Sequence, residues 1–173
     1  MKKVPGKRCI GNPKNPQRLL KVLKQAIGKK PDLKIAIIGS GELENETIKL
    51  AKELGIDSNI FFGGFQKNPL KMMHDSKVMI MTSRWEGTPM CALEGMALGL
   101  PLVSTPVDGL KKLVKNGETG YLSDCDDELS KRIVSIVENN DLHQKLSENS
   151  RQASQVINDK KVYIDELRKV YLK

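Results

Sequence analysis

The sequence alternates between short runs of consecutive apolar residues and stretches in which apolar residues recur every three or four positions. The first pattern is typical of strands buried in a parallel sheet, and the second of amphipathic helices. Short connections containing Gly, Pro or Asn separate the two, as in βαβ units. Strands are predicted at residues 33–39, 59–62, 78–82, 101–104 and 120–122. Right-handed crossovers would place helices on both faces of an open, Rossmann-like parallel sheet.

Helices are predicted between and after these strands. The clearest covers residues 17–27, ends at Gly28, and leaves Lys21 and Lys24 for solvent. Others are predicted at residues 43–54, 70–75, 90–98 and 110–114. After Asp126 only helical stripes follow, at residues 129–137, 142–157 and 162–171. The prediction is therefore a single α/β domain over residues 1–173 with a helical C-terminal tail.

Length and cysteine content narrow the class of protein. A chain of 173 residues suits one globular domain. It has no apolar run of about 18 residues and no apolar segment after MKKVPGKR, so a cytoplasmic location is expected. The three cysteines, Cys9, Cys91 and Cys125, are widely spaced, which favours free, buried thiols over disulfides or a metal site.

Positive charge is concentrated near the start of the chain. Residues 1–34 contain eleven Lys and Arg and a single acid, Asp32, in a chain of net charge +8. Such a segment attracts anionic partners. Because the whole chain has only seven aromatic residues to stack on bases, no nucleic-acid partner is expected. Peripheral contact with an anionic membrane surface and a simple solvated helix face both remain open.

The loop after the third predicted strand carries the clearest signal for a ligand. In open parallel sheets, ligands bind beyond the carboxyl ends of the strands. In SRWEGTPMCALEG, Thr88 is predicted as the N-cap of a helix and Pro89 as its first residue. Free backbone N–H groups beside the flexible Gly87 would suit a phosphate or diphosphate.

Two glutamates flank this predicted helix start. Glu94 shares a helical stripe with Met90, Leu93 and Ala97, and residues 86–109 contain no Lys or Arg. A buried, unpaired carboxylate costs about 3 kcal/mol or more, so sugar hydroxyls are its expected partner. The alternative is a glutamate at the edge of the stripe that reaches water or a distant lysine. With Glu86 at the helix start, the pair suggests a nucleoside diphosphate sugar as ligand.

Two further short sequences, a GxG and a DxD, are weaker signals. Gly39 and Gly41 form a GxG after the first strand, which indicates either a nucleotide contact or only a tight turn. Asp124 and Asp126 spell DxD, but we interpret them as acids at the start of a helix near Asp127 and expect no metal site.

The E-x7-E pair, the following GLPLV strand and the NGETG turn resemble the donor-binding signature of the glycosyl transferases group 1 (family 4). These are retaining enzymes of the GT-B fold, built from two Rossmann-like domains. The resemblance extends to KNPQRLL, IIGSGE and FFGGFQ, and so covers nearly the whole chain.

The resemblance implies a role for each matching residue. Glu86 would bind the donor sugar and stabilise positive charge at its anomeric carbon, and Glu94 would bind the ribose diol. Lys14 matches the phosphate-binding lysine, while either Arg8 or Asn12 stands at the position of the family's arginine. Phe65 would lie beside the base. Backbone groups of the loop and helix start would line the diphosphate, namely those of Gly87, Thr88, Pro89, Met90 and Leu93.

The resemblance also implies a function. The chain would be the C-terminal, donor-binding half of an enzyme that transfers a hexosyl or N-acetylhexosaminyl group to a glycan or lipid-linked acceptor. The donor would be a nucleotide sugar, preferably a UDP-sugar, with no metal or other cofactor. The N-terminal acceptor domain would be absent, leaving the third C-terminal stripe, with Tyr163, Leu167 and Tyr171, partly exposed. The alternative is a non-catalytic module that binds sugar nucleotides or polyanions.

Overall fold

The computed structural model describes residues 10–157. Within this range, helices and parallel strands alternate as the hydrophobic pattern predicts, and the predicted Rossmann-like α/β class is confirmed. The helices are α1 (Pro16–Lys29), α2 (Glu44–Glu53), α3 (Leu70–His74), α4 (Met90–Ala97), α5 (Asp108–Lys111), α6 (Asp126–Glu138) and α7 (Asn140–Ile157). The strands are β1 (Ile35–Ile38), β2 (Ile60–Gly64), β3 (Met79–Met81), β4 (Leu102–Ser104) and β5 (Gly120–Leu122). Short 3-10 turns cover Asn12–Lys14 and Asp57–Asn59.

Among residues 10–157, hydrogen bonds join the strands into two parallel sheets, where the sequence pattern predicts one. β1 pairs with β2, and β4 lies between β3 and β5. Ile35 and Ile80 pack against the core on both sides of this division.

The core is organised around α1. Leu20 and Leu23 are fully buried and pack with residues of β1 and α2, whereas Val22 and Ala26 pack toward β4 and α6. The predicted amphipathic pattern of α1 is therefore confirmed, and Lys21 and Lys24 are exposed as expected. The helix extends to Lys29, one residue beyond the predicted end at Gly28.

Ion pairs join α1 to α6. Arg18 Nε lies 2.7 Å from Asp126 Oδ1, and Lys29 Nζ lies 3.0 Å from Asp127 Oδ1. Hydrogen bonds from Lys131 and then Lys29 lower the pKa of Asp127. The acids around the DxD sequence thus contact basic groups of α1, and they offset part of the positive charge of residues 1–34. Among residues 10–157, no cluster of three His, Cys, Asp or Glu could hold a metal ion.

Other predictions had mixed outcomes. The helix predicted at residues 110–114 lies at Asp108–Lys111, because the turn begins earlier, directly after Val107. Neither Cys91 nor Cys125 forms a disulfide, as predicted. The prediction that these thiols are buried is wrong, since Cys91 is half-buried and Cys125 is exposed. The third C-terminal stripe and Cys9 lie outside the described residues. None of the helices described is both long and apolar enough to cross a bilayer.

His143 on α7 makes stability depend on pH. Burial, and then the nearby charge of Lys77, lowers the pKa of His143. The unfolded chain, with a His pKa of about 6.5, therefore binds more protons than the folded chain just below that pH, and stability falls on acidification through this window. We expect His143→Gln to lose less thermal stability than wild type between about pH 7.5 and about pH 5.5. Equal losses would contradict this assignment.

Candidate active site

The turn before α1 is joined to the loop after β3. Asn15 adopts a left-handed conformation with φ of 51°, which turns the chain from the 3-10 helix into α1. Thr82 Oγ1 donates to the carbonyl of Asn15 at 3.2 Å, and the N–H of Arg84 donates to the carbonyl of Pro13 at 2.8 Å. Lys14, which lies between these two contacts, is therefore held at the carboxyl end of β3.

Lys14 and Glu86 form an ion pair at this junction, although 72 positions separate them in sequence. Lys14 Nζ donates to Glu86 Oε1, and Ser83 Oγ donates to the same oxygen at 2.6 Å. The Glu86 side chain is 9% exposed and that of Lys14 is 28% exposed. The structure thus brings together two of the three residues predicted to be catalytic, while Arg8 lies outside the described residues.

Thr105, in the loop after β4, and Gly109, in α5, support the loop that carries Glu86. Thr105 Oγ1 donates to the Ser83 carbonyl at 2.7 Å, and the N–H of Gly109 donates to the Glu86 carbonyl at 3.1 Å. A Cβ at Gly109 would lie 2.1 Å from the Gly87 carbonyl oxygen, so only glycine permits this approach. The backbone on both sides of Glu86 is consequently fixed before any ligand binds.

Glu94 is not placed as predicted. It lies on the exposed face of α4, and its side chain makes no ion pair or hydrogen bond with another residue of 10–157. Met90, which shares the predicted stripe with Glu94, is 62% exposed. The buried face of α4 instead contains Ala92, Gly95 and Met96. Burial therefore does not support a ribose-binding role for Glu94, which now depends on its match to the family.

The helix start also differs in detail. Pro89, not Thr88, is the N-cap residue of α4, and no side chain caps it. The N–H of Leu93 already donates to the Pro89 carbonyl at 3.3 Å, so it is not one of the free donors expected there. The N–H groups of Thr88 and Met90 donate to no other described residue, and Gly87 and Thr88 are exposed. The donors left for the predicted anion site are thus the N–H groups of Thr88, just before α4, and of Met90, its first residue.

The other predicted residues occupy the ends of β1 and β2. Phe65 follows β2 and is 56% exposed. Gly39 has a φ of 125° and donates its N–H to the Gly64 carbonyl at 2.8 Å. A Cβ at Gly41 would lie 2.2 Å from the Ile10 carbonyl oxygen. Both glycines therefore have structural reasons to be glycine, which agrees with the tight-turn interpretation.

Sequence reasoning missed the residues that support Glu86. No motif in the sequence identifies Ser83, Thr105 or Gly109. A groove of about 230 Å³ between α1 and α2 contains none of the predicted residues. Of the predicted site residues, Lys14 and Glu86 form an oppositely charged pair. Such a pair suits a ligand that has both a phosphate and hydroxyl groups.

Comparison with known proteins identifies relatives of this chain. A family model described as glycosyl transferases group 1 matches residues 9–153. The N-acetyl-alpha-D-glucosaminyl L-malate synthase of Bacillus anthracis is 28% identical over 124 residues, which cover 70% of this chain and 32% of that protein. The chain spans 21% to 42% of the length of the first four curated relatives that it matches.

Solved structures share the fold. The C-terminal domain of a group 1 glycosyl transferase (LpcC) from Francisella tularensis aligns with a TM-score of 0.74 at 20% identity, covering 85% of this chain and 80% of that one. HepE from Anabaena, in complex with UDP, aligns with a TM-score of 0.79 at 22% identity, over 92% of this chain and 46% of that chain. Because the family model extends over most of the sequence, this chain belongs to the glycosyl transferases group 1.

Proposed function

We propose that this chain is the donor-binding domain of a retaining glycosyltransferase that uses a UDP-sugar. The observation that carries the proposal is the Lys14–Glu86 pair at the carboxyl end of β3. The Lys14 ammonium suits a diphosphate and the Glu86 carboxylate suits sugar hydroxyls. The two groups are in contact, and a nucleotide sugar has its diphosphate directly beside its sugar. The UDP in the HepE complex supports uracil as the base.

Each residue would have a distinct part in the transfer. Lys14 would leave Glu86 for the diphosphate and stabilise the charge that grows there as the glycosidic bond breaks. The free N–H groups at the start of α4 would add to this. Glu86 would accept hydrogen bonds from the sugar and stabilise positive charge at the anomeric carbon, while Glu94 would bind the ribose. The acceptor would then attack from the face that the leaving diphosphate vacates, without a metal or other cofactor.

The remaining parts of the reaction are also proposals. The sugar would be a hexose or an N-acetylhexosamine, and the name of the Bacillus anthracis relative contains an N-acetylglucosaminyl group. The acceptor would be a glycan or a lipid-linked acceptor. The acceptor would be held by a separate N-terminal domain, because the chain spans less than half of these relatives. The chain alone is then expected to bind donor without efficient transfer.

Binding can be followed through the single tryptophan. Trp85 precedes Glu86 directly and is 58% exposed, so its fluorescence reports on this loop. We expect saturable changes on titration with UDP and with UDP-glucose or UDP-N-acetylglucosamine, and weaker changes with GDP. Lys14→Met should lower the affinity for UDP about tenfold, because a charge-assisted contact to phosphate is lost.

A matched variant and a competing ligand complete this experiment. Lys24→Met removes the same charge from an exposed position on α1 and should bind UDP as wild type does. Anionic vesicles test the polyanion-binding alternative. Salt-sensitive binding to vesicles, together with no response to UDP or UDP-sugars, would contradict the proposed function.

A further inference from the structure

We propose that Ser83 is a positioning residue that orients the Glu86 carboxylate toward the donor sugar. This inference rests on the proposed function, and it assigns a role to a residue that no sequence motif identified. Ser83 is buried, with 2% of its surface exposed, and its hydroxyl lies 2.6 Å from Glu86 Oε1. Three positions along the chain separate the two residues, and the loop bends back between them.

The two oxygens of Glu86 have different surroundings. Oε1 accepts hydrogen bonds from both Ser83 and Lys14. Oε2 accepts none from another residue of 10–157. Among the described residues, the carboxylate is therefore anchored through one oxygen. Oε2 is the oxygen that a sugar hydroxyl can reach without displacing a contact to another described residue.

Ser83 is itself held firmly. Its carbonyl accepts the hydrogen bond of Thr105 Oγ1 at 2.7 Å, in a buried contact between the two loops. The Ser83 backbone is thus fixed independently of its hydroxyl. Removing the hydroxyl should leave the loop in place and free only the carboxylate of Glu86.

The role of Ser83 becomes larger when donor binds. In the proposed function, Lys14 moves to the diphosphate and no longer holds Oε1. Ser83 is then the remaining donor to Glu86 among the described residues. It would keep the carboxylate in one orientation from the empty site to the transition state, which lowers the cost of ordering it on binding.

The test compares affinities for UDP-sugar and for UDP by calorimetry. Wild type should bind the UDP-sugar more tightly than UDP, because Glu86 contacts the sugar and not the nucleotide. We expect Ser83→Ala to lower the affinity for the UDP-sugar roughly tenfold while leaving that for UDP within about twofold. Ser83→Thr, which keeps the hydroxyl, should restore most of the loss. Ser76→Ala removes an exposed hydroxyl that donates a hydrogen bond to the carbonyl of Met72 on α3, and this variant should bind both ligands as wild type does.

Several results would overturn the role of Ser83. Equal losses for UDP and UDP-sugar in Ser83→Ala would indicate a structural role, and no loss for either would show that its hydroxyl is dispensable. If Ser83→Ala does not fold, Ser83→Cys, of similar size but a weak donor, carries the same expectation. A wild-type chain that binds UDP without any gain from the sugar would overturn this inference alone. Absence of UDP binding would overturn the proposed function as well.

Discussion

Glu94→Ala is expected to lower the affinity of the chain for UDP by about 100-fold or more. A carboxylate that accepts two hydrogen bonds from a ribose diol contributes about 1.5–3 kcal/mol for each bond. Because Glu94 is exposed on α4 and its side chain has no partner among residues 10–157, the same change should leave thermal stability nearly unaltered. Calorimetric titration together with thermal denaturation measures both.

Two controls separate ribose recognition from a loss of charge. Glu138→Ala removes an exposed glutamate from α6 and should bind UDP as wild type does. 2′-Deoxy-UDP should bind wild type roughly tenfold more weakly than UDP, because one hydrogen bond is missing. Glu94→Ala should bind both nucleotides equally, since the interaction has already been removed. If the variant still prefers the ribonucleotide, Glu94 does not bind the diol.

The error over Glu94 shows where periodicity stops being informative. The strands and most helices were predicted to within a few residues, because apolar runs and stripes differ in period. In α4, however, apolar or small residues lie on every side, so the pattern could not identify the buried face. Gly95 marks the buried face of α4, since a Cβ there would lie 2.8 Å from Met79 Sδ. The helix packs closely through this glycine, and the side chains of Met90 and Glu94 are left exposed.

Lys14 was identified only through the resemblance to the glycosyl transferases group 1, and the structure shows it in contact with Glu86. No sequence pattern predicted the contacts of Ser83, Thr105 and Gly109. They join the loop after β3 to the loop after β4 and the start of α5, and the distance between these segments depends on backbone conformations that have no periodic signal in a single sequence.

Gly109 provides the strongest test of this loop contact. We expect Gly109→Ala to lower the free energy of unfolding by about 3 kcal/mol, because the added methyl meets fixed backbone rather than a flexible side chain. The atoms concerned are the carbonyl oxygens of Gly87, at 2.1 Å from the Cβ, and of Glu86, at 2.7 Å. Any relaxation has to move the Glu86 segment, so the affinity for UDP-sugar should fall as well. Denaturant titration and calorimetry measure the two effects.

Gly28→Ala is the matched control, because it adds the same methyl group to the same residue type. Gly28 lies within α1, where a Cβ would meet nothing within 4 Å. Alanine restricts the unfolded chain there and favours the helix, so this variant should be more stable by about 0.5–1 kcal/mol. It should also bind donor as wild type does. If Gly109→Ala were as stable as wild type and bound the UDP-sugar normally, the start of α5 would not hold Glu86 in place, and the fixed geometry on which the Ser83–Glu86 contact depends would lose its support.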